Sequence, residues 1–392
     1  MKRRLFILLV TTLLLAACGR GETTTNSPEP VQVGGGTDIS TPLSPTAAHA
    51  PPAAQTPTVV PTDGSYTGGP SEESVLSEAE GEAATLGSLE QVDDYPLYTM
   101  RYYGDYSRSR VSIEGTGGEW AQIFHPSIKP AWACSLFAAL GDADNMLYGR
   151  NFDWEYSPAL LLFTDPPDGY ASVSMVDIAY LGFAGDRVAA LLDMPLDERR
   201  PLLDAPFLPF DGMNENGLVV GMAAVPPGQM RPDPDKETIG SLVVIREMLD
   251  HASDVDEAVA ILQSYNVDMG GGPPLHYLIA DRSGRSVLVE FYEGEMVIIF
   301  NETAWHLATN FLRASAGESA EGQCQRYDKI SQRLAEAEGR IITQDGMDLL
   351  AEVSQEGSTQ WSIVYGMSTG DVNVAMGREY DDVHTLHLDL AQ

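Results

Sequence analysis

Cys134 opens an apolar run that continues to Leu140 and breaks at the polar turn Gly141-Asp142-Ala143-Asp144-Asn145. A second apolar stretch, Met146 to Tyr148, leads into Arg150 and Asp153. Two strands about a Gly/Asp/Asn turn make a β-hairpin. A hairpin returns its far end to the side of its start, so Arg150 and Asp153 come back next to Cys134. A thiol beside a guanidinium and a carboxylate is a nucleophile arrangement, because a fixed cation stabilises the thiolate and lowers its pKa. These residues alone leave a plainer reading open. An isolated cysteine in an apolar strand is more often inert packing, and an Arg and an Asp three apart equally make a structural ion pair.

The run Cys134-Ser135 to Ala139, followed by Gly149-Arg150-Asn151-Phe152-Asp153-Trp154-Glu155-Tyr156-Ser157, resembles the start of the mature chain in the choloylglycine hydrolase family. That family contains bile salt hydrolases, penicillin V acylases and, more distantly, acid ceramidase-like amidases. Asp211 to Leu218 is similar to its second signature. Leu275 to Asp281 with Gly284, Ser286 and Val289-Glu290 is similar to its central hairpin, and Trp361 to Tyr365 with Thr369-Gly370 to its closing hairpin. Asn310 falls at the family's catalytic asparagine and Arg326 at a second active-site arginine.

The resemblance implies an α+β fold, the four-layer αββα sandwich of N-terminal nucleophile hydrolases. It also implies cleavage of the Ala133–Cys134 bond. The freed α-amine would titrate near ~8 and act as base. Arg150 would stabilise the thiolate and Asp153 hold the amine. Asn310 would stabilise the oxyanion, and Arg326 would orient the site or bind substrate. A thioester on Cys134 would then be hydrolysed by water, with no cofactor and no metal. Phe152, Trp154 and Tyr156 either line an acyl pocket or are ordinary core aromatics. Ala224 stands where an ungapped match to bile salt hydrolases puts an asparagine that donates to the oxyanion. That departure argues against a straightforward bile salt hydrolase and leaves Asn310 and backbone N–H groups to do the work. The expected substrate is a small-molecule N-acyl amide. An acyltransferase using the same thioester, a catalytically silent binding protein of the same fold, and a papain-like pair of Cys134 with His276 or His306 are the alternatives.

Elsewhere the chain describes an exported protein. Lys2-Arg3-Arg4 and a short apolar core lead to Leu15-Ala16-Ala17-Cys18, which resembles a bacterial lipobox, so residues 1–18 are expected to be a lipoprotein signal. Cys18 would carry the acyl chains that anchor the protein to the membrane on its extracytoplasmic side. Residues 19–90, rich in Pro, Thr, Gly and Ser, are expected to be a disordered tether. Residues 91–133 bring aromatics and are expected to pack on the domain as a pro-segment or small first subunit, ahead of a catalytic domain over 134–392. The sequence carries 23 basic against 57 acidic residues, which argues against nucleic acid as a partner; homo-oligomer formation is left open. Of three cysteines, Cys134 and Cys324 remain beside Cys18, too few for a disulfide framework. His384 and His387 lie three apart in an extended segment, point to opposite faces and suggest no metal site. Helices are expected over Ile239–His251, over Val255–Gln263 with Ser253 as cap, over Gln325–Ala337, and over Gln344–Val353 after Thr343.

Overall fold

The structure, a computed structural model, describes residues 76–106, 133–227, 231–270, 272–316 and 320–391. The expected signal, Cys18 and nearly all of the expected tether lie outside them. Helix α1 (Glu78–Gly87) is followed by strands β1 (Glu90–Asp93) and β2 (Leu97–Arg101). The expected catalytic hairpin is β3 (Ser135–Ala139) and β4 (Leu147–Asp153). Then come β5 (Ala159–Thr164), β6 (Ser172–Asp177), β7 (Pro209–Asn214), β8 (Val219–Ala224) and β9 (Thr238–Gly240). Helices α2 (Val243–His251) and α3 (Val255–Ser264) precede β10 (Asn266–Asp268), β11 (Leu275–Ala280), β12 (Ser286–Tyr292), β13 (Glu295–Phe300) and β14 (Trp305–Ala308). Helices α4 (Gln325–Glu336) and α5 (Thr343–Val353) precede the closing strands β15 (Thr359–Gly366), β16 (Asp371–Met376) and β17 (His384–His387).

Two sheets carry the fold. One has nine strands in the order β1-β2-β5-β6-β7-β8-β11-β12-β13, the other six in the order β14-β3-β4-β15-β16-β17. Side chains on a strand alternate between its two faces, and β4 shows what each face meets. Tyr148 donates to the Leu278 carbonyl of β11 at 2.9 Å, and Arg150 reaches Asp211 of β7, so these residues point at the nine-stranded sheet. Asn151 points the other way and donates to the Leu350 carbonyl of α5 at 2.8 Å. Helices α4 and α5 therefore cover the outer face of the six-stranded sheet, while α2 and α3 pack on β7, β8 and β11 of the other. The layers run helix, sheet, sheet, helix, an αββα sandwich whose main apolar core lies between the sheets and beneath α2 and α3.

Glycine permits the closest approaches. A Cβ on Gly149 would sit 2.3 Å from the Phe137 ring, and one on Gly221 would sit 2.6 Å from the Tyr148 hydroxyl oxygen.

Several sequence expectations shift. The tether does not run to residue 90, because Ser77 and Glu80 form a reciprocal capping box that starts α1, and Leu86 and Leu89 are buried. Small and acidic residues disguised a helix anchored by two leucines. The helix expected from Ile239 begins at Val243, since Thr238–Gly240 pairs in parallel with Asn266–Asp268. Asp254 rather than Ser253 caps α3, and Ile342 rather than Thr343 precedes α5. Between β6 and β7 lie short helical turns over 178–207 that no periodicity had announced; with α1 they bury a second apolar cluster around Tyr98, Leu160 and Phe183.

Candidate active site

Cys134 sits immediately before β3, buried and free of any disulfide. It joins the inter-sheet core with Leu136 and Ala138, whereas Phe137 and Ala139 pack under α4 and α5. The β3–β4 ladder pairs Ser135 with Asn151 and Leu136 with Arg150, so the hairpin returns Arg150 to the nucleophile's strand as its turn required. Arg150 is fully buried, and its Nη1 donates to the Phe210 carbonyl at 2.7 Å and to the Asp211 carboxylate. Burial opposes its charge; Asp211 and then the Cys134 thiol outweigh that and hold the guanidinium charged. Its Nε and Nη2 carry no hydrogen bond from the protein. A buried cation with two free donors on the thiol's side of the sheet is the environment that favours a thiolate. Asp211 in turn accepts from the Tyr365 hydroxyl at 2.6 Å. This carboxylate lies in the stretch matched to the second signature, but its role as partner of Arg150 could not be read from spacing.

Arg326, in the first turn of α4, closes the other side. Its Nη1 meets the carbonyl of Ala133, the carbonyl of Cys134 at 2.5 Å and Ser135 Oγ at 2.9 Å, while Nη2 donates to Asn310 Oδ1 at 3.0 Å. Asn310 Nδ2 donates to the Ala224 carbonyl at 2.7 Å. Asp153 closes β4, buried, with Thr359 donating to Oδ1 and nothing bonded to Oδ2. Burial pushes its carboxyl up to about 7, although the Thr359 hydroxyl, Arg326 and Arg150 pull the other way.

Residues 134–311 match the family described as linear amide C-N hydrolases, choloylglycine hydrolase family. Over that stretch the chain is similar to that family. Solved structures similar to it include a variant of the conjugated bile acid hydrolase from Clostridium perfringens, at 16% identity and TM-score 0.47, covering 65% of this chain and 92% of that one. Penicillin V acylase from Agrobacterium tumefaciens is similar at 16% identity and TM-score 0.45, over 66% and 88% of the two chains. A Caenorhabditis elegans N-acylethanolamine-hydrolyzing acid amidase ortholog is similar at 14% identity and TM-score 0.41, over 65% and 100%.

Within this fold Cys134, Arg150, Asp153, Asn310 and Arg326 gather around one strand end. The expected pocket residues separate. Phe152 is buried in a stack, 4.1 Å from the Trp361 ring and 5.2 Å from Phe210, so it packs the core. Trp154 stacks partly over it at 6.3 Å, and Tyr156, half exposed, meets Tyr95 edge-on at 5.7 Å. Ala224 corrects the expectation placed on it. Gly221 faces the six-stranded sheet and Gly212, the partner of Val220, faces Leu249 of α2. Alternation therefore puts the Ala224 side chain on the helix-facing side with Val220 and Met222. It is the carbonyl of residue 224, not its side chain, that meets Asn310. A papain-like pair is not formed, for His276 lies against Glu290 and His306 against Ser286, each at 3.1 Å.

A cavity of about 360 Å³ lined by Val225, Pro232, Met269, Leu275 and Phe291 includes none of the residues around the nucleophile. Asp93, Asp382 and His384 bring potential metal-ligating atoms within 4.8 Å of one another at the outer strands β1 and β17. They belong to no part of the nucleophile's surroundings.

Proposed function

We propose that this protein is a lipid-anchored, extracytoplasmic cysteine amidohydrolase that cleaves itself at Ala133–Cys134 and then hydrolyses linear amides of N-acylated small molecules. The observation that carries the reading is the setting of that peptide bond. Cys134 supplies a buried thiol next to Arg150, and Arg326 lies against the carbonyl of Ala133, where negative charge would develop if the thiol attacked it. In self-cleavage Sγ bonds to the Ala133 carbonyl carbon, the C–N bond breaks, and the Cys134 nitrogen takes the thiol proton. Water then hydrolyses the thioester. The liberated α-amine becomes the base for later turnovers, with the unbonded Oδ2 of Asp153 as its acceptor. In each turnover the thiolate attacks the substrate carbonyl while Asn310 and backbone N–H groups bear the oxyanion. The amine proton goes to the leaving nitrogen, and water releases the acid. Trp154 and Tyr156, at the rim beside the catalytic strand, suit a flat apolar acyl group. The anchor rests on Leu15-Ala16-Ala17-Cys18.

Intact mass and N-terminal sequencing of protein purified from the membrane fraction test these steps together. One piece should begin at an acylated Cys18 and end at Ala133, the other begin at Cys134, and Cys134→Ala should stay whole and inactive. A single chain that still hydrolyses amides would refute the α-amine mechanism, and an unmodified N-terminus would refute the anchor. Fatty N-acyl and phenoxyacetyl amides should exceed a glycine-conjugated bile salt in kcat/KM; a tenfold advantage for the bile salt, about 1.4 kcal/mol of transition-state binding, would overturn the substrate class.

A further inference from the structure

Strand β12 carries a fully buried carboxylate that no step above uses. Glu290 Oε1 accepts the Arg313 backbone N–H at 2.8 Å and lies 3.1 Å from His276 Nδ1, and Oε2 accepts the Ala314 N–H at 2.7 Å. Those two N–H groups open the single 3-10 turn Arg313–Ser315, separated from Asn310 only by Phe311 and Leu312. A buried carboxylate is costly unless its oxygens are satisfied. Burial raises the Glu290 pKa, but His276 and the N–H groups of Ala314 and Arg313 outweigh it and leave it below the usual range. The carboxylate is therefore an anion, and its hydrogen bonds to the turn are of the stronger, charge-assisted kind.

The same residue connects to the other side of Asn310. His276, its partner on β11, pairs in the ladder with Ala223 of β8. The next residue, Ala224, offers the carbonyl that holds Asn310 Nδ2 at 2.7 Å. The Glu290–His276 pair thus ties the turn after Asn310 to the two strands that present its acceptor. An oxyanion donor works only if it is fixed before charge develops, and Asn310 sits on a loop, where position has to be imposed from outside.

We propose that Glu290 is a positioning residue for the Asn310 amide: its carboxylate clamps the turn over 313–315 and, through His276, holds it in register with the Ala224 carbonyl. This rests on the reading of Asn310 as oxyanion donor. The test is kinetic. Glu290→Gln keeps the side-chain shape but sets an NH₂ group against one of the two N–H donors. Activity is expressed per reactive Cys134, counted by labelled iodoacetamide on the Cys134 peptide, so that misfolded protein drops out of the comparison. Since losing one oxyanion donor costs about 10²–10³ in kcat, a misplaced one should cost at least about tenfold, with KM changed less than about threefold. In an Asn310→Ala background, Glu290→Gln should have no further effect beyond about twofold, because the group it positions is gone. A smaller fall in kcat, a loss carried by KM, or a full multiplicative loss in the double variant would overturn the proposal. Should Glu290→Gln fail to accumulate, Arg313→Pro removes one of the two donors at the first inner position of the turn, after an extended Leu312, where proline is tolerated, and should show the same pattern; normal kcat per labelled Cys134 there also overturns it. Wild-type protein that labels at Cys134 yet hydrolyses no amide would instead sink the functional reading on which this one stands.

Discussion

Two buried aspartates near the nucleophile meet opposite fates. Asp211 faces the Arg150 guanidinium and the Tyr365 hydroxyl. Asp153 has a hydroxyl on one oxygen and nothing on the other, so burial dominates and pushes its carboxyl up to about 7, well above the usual carboxylate range. A pKa raised by folding contributes stability that is complete below the unfolded value and is lost as pH rises through the folded one. Uncleaved protein should therefore weaken between pH 5 and 8. Comparing the urea stability of Cys134→Ala with Cys134→Ala/Asp153→Asn isolates the effect, because Asp177, also pushed up to about 7 by burial, is common to both. The Asp153-containing protein should lose about 2–4 kcal/mol more across that range; equal slopes would show that Asp153 titrates normally. If the Ala133–Cys134 bond is cleaved as proposed, the new ammonium would pair with this carboxylate and remove the penalty.

The β3–β4 hairpin places both Cys134 and Arg150, and its weak point is the contact between Gly149 and Phe137. A methyl at 149 would meet the tip of the Phe137 ring at 2.3 Å. Gly149→Ala should cost about 1–3 kcal/mol through overpacking and, by moving β4, lower kcat more than KM. Gly346→Ala is the control. Its Cβ would find Val364 at 3.6 Å and Phe137 at 3.7 Å, ordinary contact, and in a helix interior it should be neutral or stabilising by up to about 1 kcal/mol. Urea midpoints for the two variants decide the matter; a tolerated Gly149→Ala would mean that Phe137 turns aside freely.

For the molecule as a whole, residues 90–106, ahead of the nucleophile, are built into the sandwich. Strand β2 pairs in parallel with β5 from Leu97↔Ala159 to Arg101↔Phe163. Tyr106 donates to Asp250 at 2.8 Å, and Asp93 meets His384 of β17 at 2.6 Å. Leu97, Tyr98 and Met100 are all but inaccessible to solvent. Removing such a strand would strip a core face and bare the edge of β5. After cleavage the two pieces should therefore co-elute on gel filtration and separate only in denaturant. Free mature chain in native buffer would show that the segment is a discarded propeptide.

What the chain makes legible by itself is local. The hairpin around Gly141–Asn145, the alternating strands after it and helix α4 follow from short-range periodicity and turn chemistry, which need no partner to be recognised. The types of the reactive groups, Cys134, Arg150 and Asp153, were legible in the same way, and the resemblance named Asn310 and Arg326. Helix α1 escaped because its apolar anchors are few, and the turns over 178–207 because they have no period. Pairings across the sandwich were beyond reach in principle. That Arg150 spends one donor on Asp211, that Thr359 meets Asp153, and that Glu290 grips the turn after Asn310 are contacts between residues far apart in the chain. They exist only once two sheets stack face to face. The same stacking turns the side chain of Ala224 toward the helices and presents its carbonyl to Asn310, because strand alternation becomes a direction only when the layers on either side are known.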